Sequence, residues 1–216
     1  MKVLSIDELN ILNDGNYNVR SMPYSKFFGE MELKKEQKQK RIDLATSLEQ
    51  VMMFLFYLVV SYEEYGKLET NKQAIVNQAV QKYKNALSEF IPNDNYTEMY
   101  IREFARDFAD VTIRHLNEPY YLSQDRAILM AENESNSMFN YSEYSDALKH
   151  GYKRKIWHTE GDLHVRGTHI PMNSKTAEID TPFLVGNSLM LFPRDTSYGA
   201  SPEEIVNCRC TIEYIK

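Results

Sequence analysis

The placement of chain-breaking residues constrains this chain most. They are sparse up to about residue 150 and dense after it: five of the eight glycines and four of the seven prolines fall between Gly151 and Lys216. An interior proline removes a helical hydrogen bond and clashes with the preceding turn, and glycine loses the most backbone entropy on folding. The first 150 residues therefore read as helices, and the remainder as turns and short strands. The expected fold class is α+β, with long N-terminal helices followed by a small antiparallel β-rich C-terminal module.

An irregular arm over residues 1–33 leads into a helix from about Lys34 to Tyr65, which Gly66 terminates in the left-handed conformation. The next helix starts near Asn71, repeats apolar residues at Val76, Val80, Tyr83, Leu87 and Phe90, and closes at Pro92. A third, capped by Asn95 or Thr97, buries Ile101, Phe104, Phe108 and Val111. A fourth runs from about Ser123 to His150, with Leu129, Met138 and Ala147 inward and Gly151 ending it. The expected organisation is an arm (1–33), a helical region (34–150) and a β-rich module (151–216) packed on the helix 123–150.

The apolar run Val51–Val60 is ten residues long, with Glu49 before it and Glu63 and Glu64 after it. A membrane span needs roughly 20 apolar residues, so this run is expected to be buried among helices or against a partner, with no membrane contact. The chain's formal charge of -6 opposes nucleic acid as the main partner. The basic clusters Lys34–Arg41 and Lys153–Lys155 read as a solvated helix face and a strand edge. No signal peptide is evident, and two cysteines one residue apart do not form a secreted disulfide framework, so a reducing cytoplasm is expected.

From Lys153 onward the period changes to two. Phe183-Leu184-Val185, Gly186-Asn187 and Ser188–Phe192 read as a β-hairpin. The final stretch alternates, placing Val206, Cys208, Cys210, Ile212 and Tyr214 on one face of an expected closing strand. On that face Cys208 and Cys210 read as two buried strand cysteines, because a thiol among apolar neighbours behaves as a small hydrophobe. The alternative is chelation, with His164 and His169 completing a tetrahedral zinc site around the two sulfurs. No metal or other cofactor is expected. Glu134, Asp162, Asp180 and Asp195 have no spacing that forces an acid–base pair and read as exposed or loop-capping. Phosphate-loop, His-Glu-x-x-His and Gly-x-Ser-x-Gly motifs are absent.

Taken in order, Lys155-Ile156-Trp157, Val165-Arg166 with His169, Asp180-Thr181-Pro182-Phe183, Phe192-Pro193-Arg194-Asp195 and Asn207-Cys208-Arg209-Cys210 form a pattern. The pattern resembles the C-terminal module of the Mu F-like phage minor head proteins, also called phage head morphogenesis proteins. It covers about Met130 to Thr211 and reaches the fourth helix through Glu134, Asn140 and Gly151. Arg194 departs from it, standing where a glycine is common. Some members carry a toxin domain after this module; this chain stops six residues past Cys210, so none is expected here.

The resemblance implies a minor structural protein of a tailed-phage head, associated with portal or major capsid protein and acting in head morphogenesis, DNA packaging or ejection. It implies a place in the host cytoplasm during assembly and then inside the virion head, with at most weak DNA contact and no enzymatic activity. Glu134, Arg166, His169, Asp180 and Arg209 are expected to form a buried structural network rather than a catalytic site. The enzyme rival is a nuclease or transferase in which His169 moves a proton, Arg166 stabilises developing charge, and Asp180 or Glu134 assists. A third reading is a satellite or domesticated element that interferes with phage assembly.

Overall fold

The computed structural model describes residues 22–216. Residues 1–21 of the expected arm lie outside the described residues. The described chain is α+β, with its long helices first and a small antiparallel sheet near its C-terminus. It divides into two compact units, whose boundaries pass inside three helices rather than at residues 34 and 151. One unit holds residues 22–25 and 42–132; the other holds residues 26–41 and 133–216. The second unit needs its helical residues because, as shown below, their polar side chains hold its loops.

In the first unit, helices α1 (Met22–Gly29), α2 (Lys35–Glu64), α3 (Leu68–Leu87), α4 (Asn95–Arg114) and α5 (Gln124–Lys149) contribute all or part of their length. Helix α2 ends as expected: Gly66 is left-handed (φ 61°), and the Lys67 amide returns to the Tyr62 carbonyl at 2.8 Å. Helix α3 begins three residues before the expected Asn71. The cap of α4 is Asp94 rather than Asn95 or Thr97; its carboxylate accepts from the Thr97 amide at 2.9 Å. Ser123 caps α5, and Gly151 (φ 72°) follows its end.

By length and composition alone α2 suffices to cross a bilayer. Its apolar stretch is nonetheless largely buried, with Phe56 stacked on Phe108 at 5.6 Å. Arg126 lies over the Phe108 ring at 4.3 Å and donates to Thr112 Oγ1 and the Tyr121 carbonyl, so its charge is buried with partners.

In the second unit, β1 (Arg154–His158) is the centre of a three-stranded antiparallel sheet between β2 (Thr176–Glu178) and β5 (Thr211–Ile215). Trp157 faces Ile212 across that sheet. The expected hairpin is present, with β3 (Phe183–Val185) paired to β4 (Ser188–Met190) through a two-residue turn led by left-handed Gly186. Trp157, Met172, Phe183, Val185, Met190, Cys208 and Cys210 form its core.

The expected closing strand from Val206 is corrected: the ladder begins only at Thr211, after a short helix α6 (Pro202–Ile205). Asn207 is left-handed (φ 57°), which breaks the extension, and Val206 is exposed. Cys208 and Cys210 are buried, but on a loop rather than a strand.

Candidate functional site

Residues 131–141 of α5 are all buried, although many are polar. Asn133, Asn136 and Asn140 recur at helical spacing, with Ser137 beside them, and hold loops that have no ladder of their own. The Asn133 amide accepts from the Asn207 backbone amide (2.7 Å) and donates to the Asn207 side chain (3.0 Å). Asn136 Nδ2 donates to the Cys208 carbonyl, and Asn140 Nδ2 to the Pro193 carbonyl, each at 3.0 Å. The free oxygens of Asn136 and Asn140 accept from Arg41, which is fully buried and also pairs with Glu143 at 3.2 Å. Arg41 is thus an exception to the solvated face expected for the basic run 34–41.

The turn after β4 is built around two charged side chains. Asp195 accepts from the Leu191 amide (2.8 Å) and the Ser197 amide (2.9 Å), closing the turn as a loop cap. Arg194 adopts a left-handed backbone (φ 70°), a conformation that favours glycine. Its buried guanidinium donates to Ser137 Oγ (2.7 Å), the Ile205 carbonyl (2.6 Å) and Asn133 Oδ1. Lys155, buried on the same face of β1 as Trp157, donates to the carbonyls of Ile179 (2.8 Å) and Leu191 (2.7 Å). Burial pushes its pKa down to about 8.

Next to Trp157 lies a cluster of chemically distinct groups. His169 precedes the short 3₁₀ helix Ile170–Met172, and its Nδ1 sits 3.4 Å from Cys210 Sγ and 3.7 Å from Cys208 Sγ. Its Nε2 is 3.0 Å from a carboxylate oxygen of Glu204, which also accepts from Thr168 Oγ1 at 2.7 Å. Burial disfavours the charged imidazole, yet the neighbouring Cys208 sulfur holds His169 above the ordinary histidine range. The hydrogen bond from Cys210 holds the Cys208 thiol well below its usual range, against burial, with His169 adding to the effect. Cys210 is correspondingly pushed up by Cys208. The three donor atoms of His169, Cys208 and Cys210 lie within 4.8 Å of one another, a set able to hold a metal ion. The adjoining cavity has a volume of about 10 Å³, room for one water-sized sphere, and is bounded in part by Glu160, His164, Arg166 and Arg209.

The network expected from Glu134, Arg166, His169, Asp180 and Arg209 is therefore only partly assembled. Arg166, His169 and Arg209 border this cavity, but their partners differ. Arg166 donates to the Val206 carbonyl, and Arg209 pairs with Asp162 (2.6 Å) and Glu30 (3.1 Å). Asp180 is exposed at the turn before β3, and Glu134 is buried within α5. His164 borders the cavity yet is exposed and outside the converging donor set. Of the set in the nuclease reading, Arg166 borders the same cavity as His169, whereas Asp180 lies exposed at the turn before β3.

Sequence reasoning missed Glu204 and Asn133. Glu204 has no local signal, because its partner is 35 residues away. The asparagine stripe was visible as a spacing, but a polar stripe on a helix ordinarily marks a solvated face.

No protein-family model matches the chain, and no solved structure matches it. Over 140 residues it is 26% identical to a protein of Enterococcus faecalis named NAD(+)--arginine ADP-ribosyltransferase EFV; the match covers 63% of this chain and 27% of that protein. The chain thus spans about a quarter of the length of this relative. The similarity corrects the expectation that the chain has no enzymatic activity: its relative bears a transferase's name, so enzymatic readings have to be tested.

Proposed function

We propose that this chain is a minor structural protein of a tailed-phage head, docked on portal or capsid and acting in head morphogenesis, DNA packaging or ejection. One observation carries the reading. The ordered residues that resemble the head-protein module all fall in one compact unit, and most have an architectural task there. Lys155 and Asp195 tie turns, Trp157 fills the core, and Asn207 and Cys208 are held by asparagines of α5. The partial match supports it too: a stretch that is most of this chain but about a quarter of its relative fits a module shared with a longer protein. Deleting the gene from its phage should lower the yield of infectious particles or their DNA delivery, and supplying the chain in trans should restore both. Unchanged yield and delivery would refute the proposal.

A second reading rests on the relative's name: transfer of ADP-ribose from NAD+ to arginine. The cavity beside His169 is too small for a dinucleotide, at about 10 Å³. An open cleft of about 680 Å³ in the same unit, bounded by Lys34, Lys40, Glu143, His150, Tyr152 and Glu213 among others, has the volume of a small-molecule site. Labelled NAD+ incubated with the purified chain and an arginine-bearing acceptor protein decides this reading. Label transferred to the acceptor only when the chain is present establishes it; no transfer above the chain-free control removes it.

A further inference from the structure

We propose that His169, Cys208 and Cys210 bind one zinc ion through Nδ1 and two thiolates, with Glu204 fixing the imidazole from behind and solvent in the adjoining cavity completing the coordination. The proposal stands on geometry and is independent of the function proposed above.

The distances fit. Zinc bonds of about 2.3 Å to sulfur and 2.0–2.1 Å to nitrogen place the sulfur and nitrogen atoms of a tetrahedral centre roughly 3.5 Å apart. His169 Nδ1 lies 3.4 and 3.7 Å from the two sulfurs, and all three donors are within 4.8 Å of one another.

The tautomer fits as well. Nε2 points at the Glu204 carboxylate, a pure acceptor, so the ring proton belongs on Nε2 and the Nδ1 lone pair faces the sulfurs. A histidine whose far nitrogen is held by a carboxylate is the usual support of a zinc ligand. Thr168 holds the same carboxylate in place.

Burial selects a metal ion over thiol catalysis. Cys208 and Cys210 are 2% and 4% exposed, and the cavity beside them holds about one water. No substrate carbon reaches such sulfurs, whereas an ion fits. Two thiolates, a neutral imidazole and a dication sum to zero charge, which removes the cost of a buried thiolate. Binding displaces to solvent whatever protons the two sulfurs and Nδ1 carry. Among common divalent ions this donor set favours zinc, because soft sulfur excludes magnesium and calcium.

The nearby backbone explains the use of such a site. The segment Gly161–His169 has no strand pairing, and the Asn207–Cys210 loop precedes the ladder of β5. Zinc would tie these two loops together where the small sheet does not.

The test uses the full chain, purified without a metal-binding tag from zinc-replete medium, with elemental analysis and zinc titration against a competing chelator. The expected result is about one zinc per folded chain, lost in a Cys208→Ser/Cys210→Ser double variant. Because that variant risks misfolding, Glu204→Gln provides the second arm: it should fold and lower zinc affinity about 10–100-fold. Cobalt(II) in place of zinc should give thiolate-to-cobalt charge-transfer absorption. A metal-free, folded protein whose melting temperature is unmoved by added zinc would overturn the proposal. So would zinc retained at parental affinity in the double cysteine variant.

Discussion

Replacing Arg194 by glycine sets two terms of known sign against each other. Arginine at φ 70° carries left-handed strain of about 1–2 kcal/mol, which glycine relieves. The same change removes three hydrogen bonds donated by a buried guanidinium, to Ser137, Asn133 and Ile205. Bonds involving a charged group contribute about 1.5–3 kcal/mol each. The lower end applies, because every acceptor keeps another interaction. Asn133 Oδ1 keeps the Asn207 amide, the Ile205 carbonyl keeps the Cys208 amide, and the Ser137 hydroxyl keeps the Asn133 carbonyl. The network should therefore win, leaving Arg194→Gly destabilised by about 3 kcal/mol, or roughly 6–12 °C in Tm for a chain of this size. Arg194→Ala loses the network and keeps the strain, so it should fall about 1 kcal/mol further. Urea unfolding followed by fluorescence reads this unit directly, because Trp157 is the chain's one tryptophan and lies in its core. A glycine variant as stable as the parent would show that backbone strain outweighs the network and refute the reasoning.

Three further outcomes follow from the same structure. Lys155→Met should cost about 2–4 kcal/mol in urea unfolding, since it strands the Ile179 and Leu191 carbonyls, and parental stability would show those bonds contribute nothing net. Gly186→Ala places a methyl group 2.2 Å from Glu204 Oε1 at a left-handed position, so a loss of about 1–3 kcal/mol is expected; an unchanged Tm would refute the clash. Burial raises the Glu132 carboxyl to about 7, so between about 4.5 and 7 the folded state holds a proton that the unfolded state has released. Stability should accordingly fall by about 3 kcal/mol as pH rises from 4.5 through 7, with the full cost present above 7. Glu132→Gln should flatten that dependence in circular-dichroism melts at pH 5 and pH 8, and an unaltered pH profile would remove Glu132 as its source.

The helices were legible because their boundaries are local: Gly66 and Gly151 stop them with left-handed residues. The hairpin was legible through Gly186 for the same reason. The closing strand was misread because the alternation from Val206 to Tyr214 is consistent with an extended chain. What bends it is Asn207, held by Asn133 from 74 residues away. Arg41 looked solvated inside a charge run, but its partners Asn136, Asn140 and Glu143 come from another helix. Within the site, the cysteines and His169 were identified as possible ligands from residue type and the Cys-x-Cys spacing. Glu204 was not, since an acidic residue at the start of a short helix has many ordinary uses.

The most direct measurement is quantitative mass spectrometry of phage heads purified from cells in which this gene is co-expressed with portal and capsid genes. The proposed role predicts the chain in a small, fixed number of copies per portal ring, retained through density-gradient purification. Its absence from heads, with the chain abundant and free in the same lysate, would contradict that role.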